Sequence, residues 1–312
     1  MMNWRLQALV PLLALALQAC QTTAPLPEQA PASAQVPDVP FFPQDDYQCG
    51  PAALATVLGW SGLETSDEAL VDEVWLPERR GSLAMELSAA ARERGRLVYP
   101  LEEAEELLAA VHAGQPVLVL QNLALPRWPR WHFAVVSGYR DQGARLVLNS
   151  GRREAMTTSW NRFERTWARA ERQAWLVLPP GELPAPAEPL RLVRALHDLE
   201  STAGPDAAGP FWKQAAERFP ESYPVRFGEG NHLWTRGERA DALRAFRKAT
   251  LARPEAPEAW YNLVVGLGES GCTELFRDMK AEARKKAGNS LPTLPEAPAE
   301  TGGQCPLEDL PG

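Results

Sequence analysis

The segment VPFFPQDDYQCGPAALATVLG, residues 39–59, holds the cysteine on which the reading of this chain turns. Cys49 stands directly ahead of Gly50-Pro51 and an apolar run. Pro51 suits the first turn of a helix, where a backbone N–H has no intrahelical partner, and Ala52 to Leu58 continue it with good helix formers. The pattern predicts a helix over residues 50–58 with Cys49 at its N-terminus. Free N–H groups and the positive end of the helix dipole there favour the thiolate, which is the nucleophilic form of cysteine. Gly50 is expected to leave room beside the sulfur for an approaching carbonyl.

A cysteine nucleophile needs a base, and the base needs a group to orient it. Four histidines are present, so the search is short. His197 and His232 fall in helical stretches and read as surface or packing residues. His112 ends a helix before Ala113-Gly114, an ordinary place for a cation. His132 opens HFAVVSGY (132–139), a strand pattern, after the loop LPRWPRW (125–131). That loop is expected to shape a cleft or to pack in the core. A turn, RDQGA, leads to RLVLNSG (145–151). In an antiparallel hairpin the start of one strand lies beside the end of the next. His132 and Asn149 therefore come to the same end of one hairpin, where an Asn carbonyl can accept from the imidazole N–H and hold its tautomer.

The N-terminus sets the compartment. One cation, Arg5, precedes an apolar run from Leu6 to Leu17, too short to span a bilayer and suited to a secretory signal peptide. The ending LQAC, residues 17–20, resembles the bacterial lipobox. That resemblance implies lipidation of Cys20 and cleavage before it, making residues 1–19 the signal peptide. Gln21 after the cysteine resembles the pattern sorted to the outer membrane. Residues 20–37, rich in Pro, Ala and Gln, read as a flexible tether. Export to an oxidising compartment bears on the four cysteines. With Cys20 lipidated, Cys272 and Cys305 are the candidates for a structural disulfide, which leaves Cys49 without a partner.

The chain of 312 residues is long enough for two domains. Its formal charge of −8, without a basic patch, argues against a nucleic-acid binder. The Pro-rich stretch 179–189 is expected to act as a linker. Before it, residues 38–178 predict helices over 50–58, 66–74, 82–94 and 101–112, then strands over 116–121, 132–139, 145–149 and 174–178. That order indicates an α+β domain. After the linker the chain reads as all helical over 190–286. Ala208, Trp212, Ala215 and Pro220 recur 34 positions later as Ala242, Phe246, Ala249 and Pro254, and a third copy begins at Trp260 and Leu263. This period and these residue types resemble the tetratricopeptide repeat, whose stacked hairpins usually bind peptide or protein segments. Residues 287–312, rich in Pro, Gly, Glu and Thr, read as a disordered tail.

Taken together, Q-x₄-CGPA opening a helix, then G-x-P-V-L-V-L, HFAVVSGY and VLNSG, resemble the bacteriocin-processing (double-glycine leader) peptidases, which are papain-like cysteine peptidases. The resemblance implies a papain-like α+β fold with Cys49 as nucleophile, His132 as base and Asn149 as orienting residue. It further implies an oxyanion-hole donor upstream of the cysteine, for which Gln44 fits best and Gln48 competes. The chain departs from that family at Gln48, where Asp is common, at Asn149, where Asp is frequent, and in the spacing of Gln44. With no long apolar segment and no nucleotide-binding glycine loop of a transporter in this sequence, processing of double-glycine leaders at a transporter is not carried over. The expectation is a lipid-anchored thiol peptidase of the bacterial envelope, on the periplasmic face of the outer membrane. It needs no cofactor or metal, takes peptide or protein substrates, and engages a protein partner through the repeats. The alternatives are a non-catalytic peptide-binding scaffold, or a thiol amidase or transpeptidase acting on cell-wall peptides.

Overall fold

The computed structural model describes residues 30–43, 48–79, 81–296, 305 and 307. Cys20 and Gln44 lie outside the described residues. Seven strands form one antiparallel sheet: β1 (Ala34–Gln35), β2 (Leu97–Leu101), β3 (Val117–Asn122), β4 (Trp131–Arg140), β5 (Arg145–Ser150), β6 (Arg153–Ser159) and β7 (Ala174–Leu178). Their order is β2-β7-β3-β4-β5-β6, with β1 pairing onto the far end of β4. Val36 after β1 is buried, so ordered packing begins inside the stretch read as a tether.

Alternation along the central strands gives the sheet two buried faces. Leu118 and Leu120 of β3 and Phe133 and Val135 of β4 pack under α1 (Cys49–Trp60), α2 (Asp67–Val74) and α3 (Ala84–Glu93). The alternate residues Val117, Val119, Ala134 and Val136, with Leu146 and Leu148 of β5, face α4 (Ala104–His112) and α5 (Trp160–Ala168). Helix α1 is buried on all sides from Gly50 to Leu58, which suits its unbroken run of small and apolar residues. The domain is α+β, as the sequence indicated.

Beyond it lie three helix pairs: α6 (Pro189–Ala203) with α7 (Pro205–Arg218), α8 (Tyr223–Thr235) with α9 (Arg239–Ala252), and α10 (Pro257–Glu269) with α11 (Thr273–Ala287). The first helices start at 189, 223 and 257 and the second at 205, 239 and 273, so every start recurs after 34 residues. The repeat depends on close approach. A Cβ on Gly230 of α8 would lie 2.5 Å from the Phe246 ring of α9, and one on Gly228 would lie 2.4 Å from the Trp212 ring of α7.

The Pro-rich stretch between the two parts is held in place. Gln115 Nε2 donates to Glu182 Oε1 and to the Leu183 carbonyl, and Gln115 Oε1 accepts from the Ala185 N–H. Arg218 of α7 donates to the carbonyls of Pro184 and Ala185 at 2.7 Å each. Leu192, Leu196 and Leu199 of α6 and Phe211 and Trp212 of α7 share one core with the α4 face of the sheet. A segment read as a linker is thus a tie. The tail is likewise fixed at two described points: Cys305 is bonded to Cys272, as the cysteine count suggested, and Leu307 is buried among α9, α10 and α11 residues.

Candidate active site

Cys49 is the first residue of α1 and is the free cysteine among the described residues. Its thiol is half-buried against β4 at the backbone N–H of Phe133, the residue after His132. Burial pushes the thiol above its ordinary pKa, while hydrogen bonds from the N–H groups of Phe133, Cys49 and Gly50 pull the other way. The helix start supplies donors aimed at the sulfur, as the sequence required of a nucleophile. Burial still outweighs them, so the resting group is the thiol.

Gly50 has a different use from the one expected. A Cβ there would lie 2.2 Å from Ser82 Oγ, so the space beside the glycine is filled by Ser82 and is not open to a substrate. The Ser82 hydroxyl is itself buried without a hydrogen-bond partner. Gln48 is the N-cap residue of α1, and its side chain makes no capping hydrogen bond.

His132 lies one residue into β4, opposite Gln121 of β3. Its Nε2 is 2.8 Å from Ser150 Oγ at the end of β5. Burial, and then the neighbouring Arg130 guanidinium, push its pKa down to about 4. At neutral pH the ring is an uncharged imidazole, able to accept a proton.

Asn149 is not brought to His132. Asn149 pairs with Val135, and both ends of its side-chain amide are engaged away from the imidazole. Its Nδ2 donates to the Pro40 carbonyl at 3.2 Å and its Oδ1 accepts from the Ala155 N–H at 3.1 Å. The hairpin reading expects Asn149 at the imidazole, and the hydrogen-bond partner found there is its neighbour Ser150. Residues read in alternation from the 135–149 pair would have found Ser150, which stands in the same VLNSG motif.

The Trp-rich loop is no part of the core. Trp128 is 71% exposed and Trp131 52% exposed, with Leu125 also open. The turn that presents them is nonetheless ordered: Asn122 Oδ1 accepts from the N–H groups of Ala124 and Arg130, and Leu125 bridges Trp128. An apolar rim therefore stands beside His132 on a fixed hairpin.

Residues 36–175 match the family described as Peptidase_C39 like. This region is a C39-like peptidase domain. As such it is a cysteine-peptidase unit of the hydrolase class, and the match spans α1 and the strands that carry His132, Asn149 and Ser150. Similar solved structures include a C39-like peptidase from Bacillus anthracis, 19% identical with a TM-score of 0.39, the match covering 47% of this chain and 97% of that one. The peptidase domain of Streptococcus ComA, a bifunctional ABC transporter involved in quorum sensing, is 23% identical with a TM-score of 0.38, over 45% and 98%. A double-glycine-motif protease from an AMS/PCAT transporter, in complex with its leader peptide, is 21% identical with a TM-score of 0.37, over 47% and 94%. No curated protein matches the chain.

Proposed function

We propose that the C39-like domain hydrolyses peptide bonds with Cys49 as nucleophile and neutral His132 as general base. The observation that carries this reading is the placement of the Cys49 thiol, with helix-start N–H donors, on the strand residue next to His132. With Nε2 engaged by Ser150, Nδ1 takes the thiol proton as the sulfur attacks the carbonyl carbon. The peptide C–N bond then breaks, the amine leaves with that proton, and water hydrolyses the thioester to release the acid and restore the thiol. The Cys49 N–H serves the oxyanion, with Gln44 or Gln48 as second donor. Ser150 replaces Asn149 as the group that orients the ring, and Asn149 braces the 37–43 segment against β5. The exposed Trp128 and Trp131 form one wall of the substrate cleft.

The setting is also ours to propose. Cys20 carries the lipid, and the domain works tethered in the bacterial envelope, on the periplasmic face of the outer membrane. The three helix pairs are tetratricopeptide-like repeats that bind a peptide or protein segment. Their support is the 34-residue recurrence of every helix start.

The test is cleavage. The full chain is incubated with a peptide library and, separately, with muropeptides, and products are read by mass spectrometry. Cleavage of library peptides that disappears in Cys49→Ala is the expected result. Products from muropeptides alone would transfer the site to cell-wall amidase chemistry, and no products from either would leave a binding scaffold.

A further inference from the structure

The turn that joins β3 to β4, residues 123–130 (LALPRWPR), concentrates exposed apolar surface at one end of the sheet. Eight large apolar side chains are exposed among the described residues, and four of them, Leu123, Leu125, Trp128 and Trp131, fall within nine positions here. Clustering of this kind on an ordered turn marks a contact surface, whereas single exposed side chains are ordinary. The turn holds its own shape. The Leu123 N–H donates to the Arg130 carbonyl at 2.9 Å, and the Trp128 N–H to the Leu125 carbonyl at 3.0 Å.

The polar side-chain groups on this surface are all donors. Residues 123–131 contain no Asp, Glu, Asn, Gln, Ser or Thr, so they offer two indole N–H groups and the guanidinium groups of Arg127 and Arg130, with no acceptor. Both arginines are exposed and make no ion pair among the described residues. Helix α5 brings further charge to the same end. Gln121 Nε2 donates to Thr166 Oγ1 at 2.6 Å, and the Arg169 guanidinium donates to the Asn122 carbonyl at 2.9 Å. Arg162 lies one turn before Thr166 on the same helix face, exposed and likewise without an ion pair among the described residues. Unanswered positive charge thus surrounds the apolar tip, although the chain as a whole carries −8.

The partner that fits must present negatively charged acceptors and apolar material together. A peptide in the cleft uses the indole rings as a wall but leaves the arginines without counter-charge. A phospholipid surface answers both, since phosphate oxygens take the guanidinium groups and the acyl boundary beneath them takes the rings. Trp at headgroup depth and Arg drawn to anionic lipid are the usual chemistry of a bilayer interface. We infer that this hairpin docks on an anionic bilayer surface, with Leu125 and Trp128 at the acyl boundary and Arg127, Arg130 and Arg162 on lipid phosphates. Docking uses folded residues alone and requires neither a lipid at Cys20 nor chemistry at Cys49. Because Trp131 directly precedes His132, the docked hairpin sets the active-site end of β4 against the bilayer.

The experiment places an NBD fluorophore on the tip. The full chain with Cys49→Ala and Leu125→Cys is labelled without reductant, which leaves the Cys272–Cys305 bond closed. A second chain carries the label at Tyr261→Cys, an exposed position of α10, and the parent Cys49→Ala chain gives the labelling background. Each is mixed with vesicles of phosphatidylcholine with and without phosphatidylglycerol. A blue shift and a severalfold rise in emission are expected at position 125 when phosphatidylglycerol is present, and neither at position 261. Arg127→Gln combined with Arg162→Gln, both at exposed positions that leave the core intact, should reduce that response severalfold, as should raised salt. Emission at 125 that matches 261, or that ignores phosphatidylglycerol, overturns the docking. An unchanged response in the double arginine variant overturns it as well. A shift at 125 that follows addition of the peptide library and not of vesicles leaves the turn to the substrate cleft alone and overturns the lipid assignment.

Discussion

The sheet domain, with Cys49 on α1 and His132 on β4, and the helix pairs beyond residue 189 are built in opposite ways. In the sheet, β7 near the end of the domain lies between β2 and β3, with Leu178 paired to Leu97 and Leu176 to Val117. Which side chains meet depends on register, and a slip of one residue moves a side chain to the opposite face. In the helix pairs the starts repeat every 34 residues, so one sequence rule sets how neighbouring helices stack. The difference teaches that the reacting groups need long-range pairing to be aligned, while a helical stack can be built from local repetition. The two parts are nevertheless fused through α6 and α7, which share the α4-side core of the sheet.

The largest expected effect separates the chemistry of the sheet domain from the stability of the helix pairs. His132→Ala removes the base, and general-base loss lowers kcat/KM by about 10²–10⁴. Alkylation of Cys49 by iodoacetamide near neutral pH slows as well. Thermal unfolding of the α9–α11 core should be unchanged, because it is separate from the core of the sheet. If its stability fell together with catalysis, the two parts would be one unit and the comparison would break.

The next effect locates the seam between the parts. The buried α9, α10 and α11 residues and Leu307 form a core distinct from the one that joins α6 and α7 to the sheet. The Cys272–Cys305 bond closes a span of 33 residues, for which chain entropy gives about 3–4 kcal/mol. Reduction should therefore release the tail and lower the thermal stability of α9–α11 by that order, with peptidase turnover little changed. Hydrogen exchange with and without reductant checks this. Equal loosening of β2–β7 on reduction would show one cooperative unit and move the seam out of the helical part.

Much of this was legible beforehand, and the failures have physical causes. Helix α1 and the central strands β3, β4, β5 and β7 were read from apolar runs and alternation. The strands β2 and β6 were not, and both are edges of the sheet. β2 contains Pro100, which a central strand excludes and an edge admits. β6, REAMTTS, is mostly exposed and has no apolar pattern to read. Trp160, Phe163 and Trp167 share one face of α5 at helical spacing, and all three are buried. The linker reading at 179–189 failed because Pro content signals extended backbone but not whether Gln115 and Arg218 will bind that backbone. Gln115 and Arg218 lie on opposite sides of the segment in sequence, so only the fold brings them together. His232, read as a surface or packing residue, is buried with its ring stacked on Trp212.

The smallest expected effect tests the one-residue correction within the active site. Ser150→Ala should lower kcat roughly tenfold at unchanged KM, and Ser150→Thr should restore it, because the hydroxyl orients His132 without touching substrate. Asn149→Ala should leave kcat near wild type and instead cost about 1–3 kcal/mol of stability, since the Pro40 carbonyl and the Ala155 N–H lose a buried partner. The two substitutions, one residue apart, thus separate by readout, turnover against denaturation midpoint. A fall in kcat for Asn149→Ala with no change for Ser150→Ala would return the orienting role to Asn149. The pH profile sharpens the same point. With His132 folded at about 4, below the ordinary value near 6.5, the unfolded chain binds the extra proton first as pH falls. Stability from this group is complete above about pH 6.5 and is lost as pH drops towards 4, and the acid limb of kcat/KM lies near 4. Ser150→Asp places a carboxylate on Nε2, which favours the imidazolium and should move that limb up towards neutrality. Asn149→Asp, whose side chain meets the Pro40 carbonyl and the Ala155 N–H and not the imidazole, should move it far less.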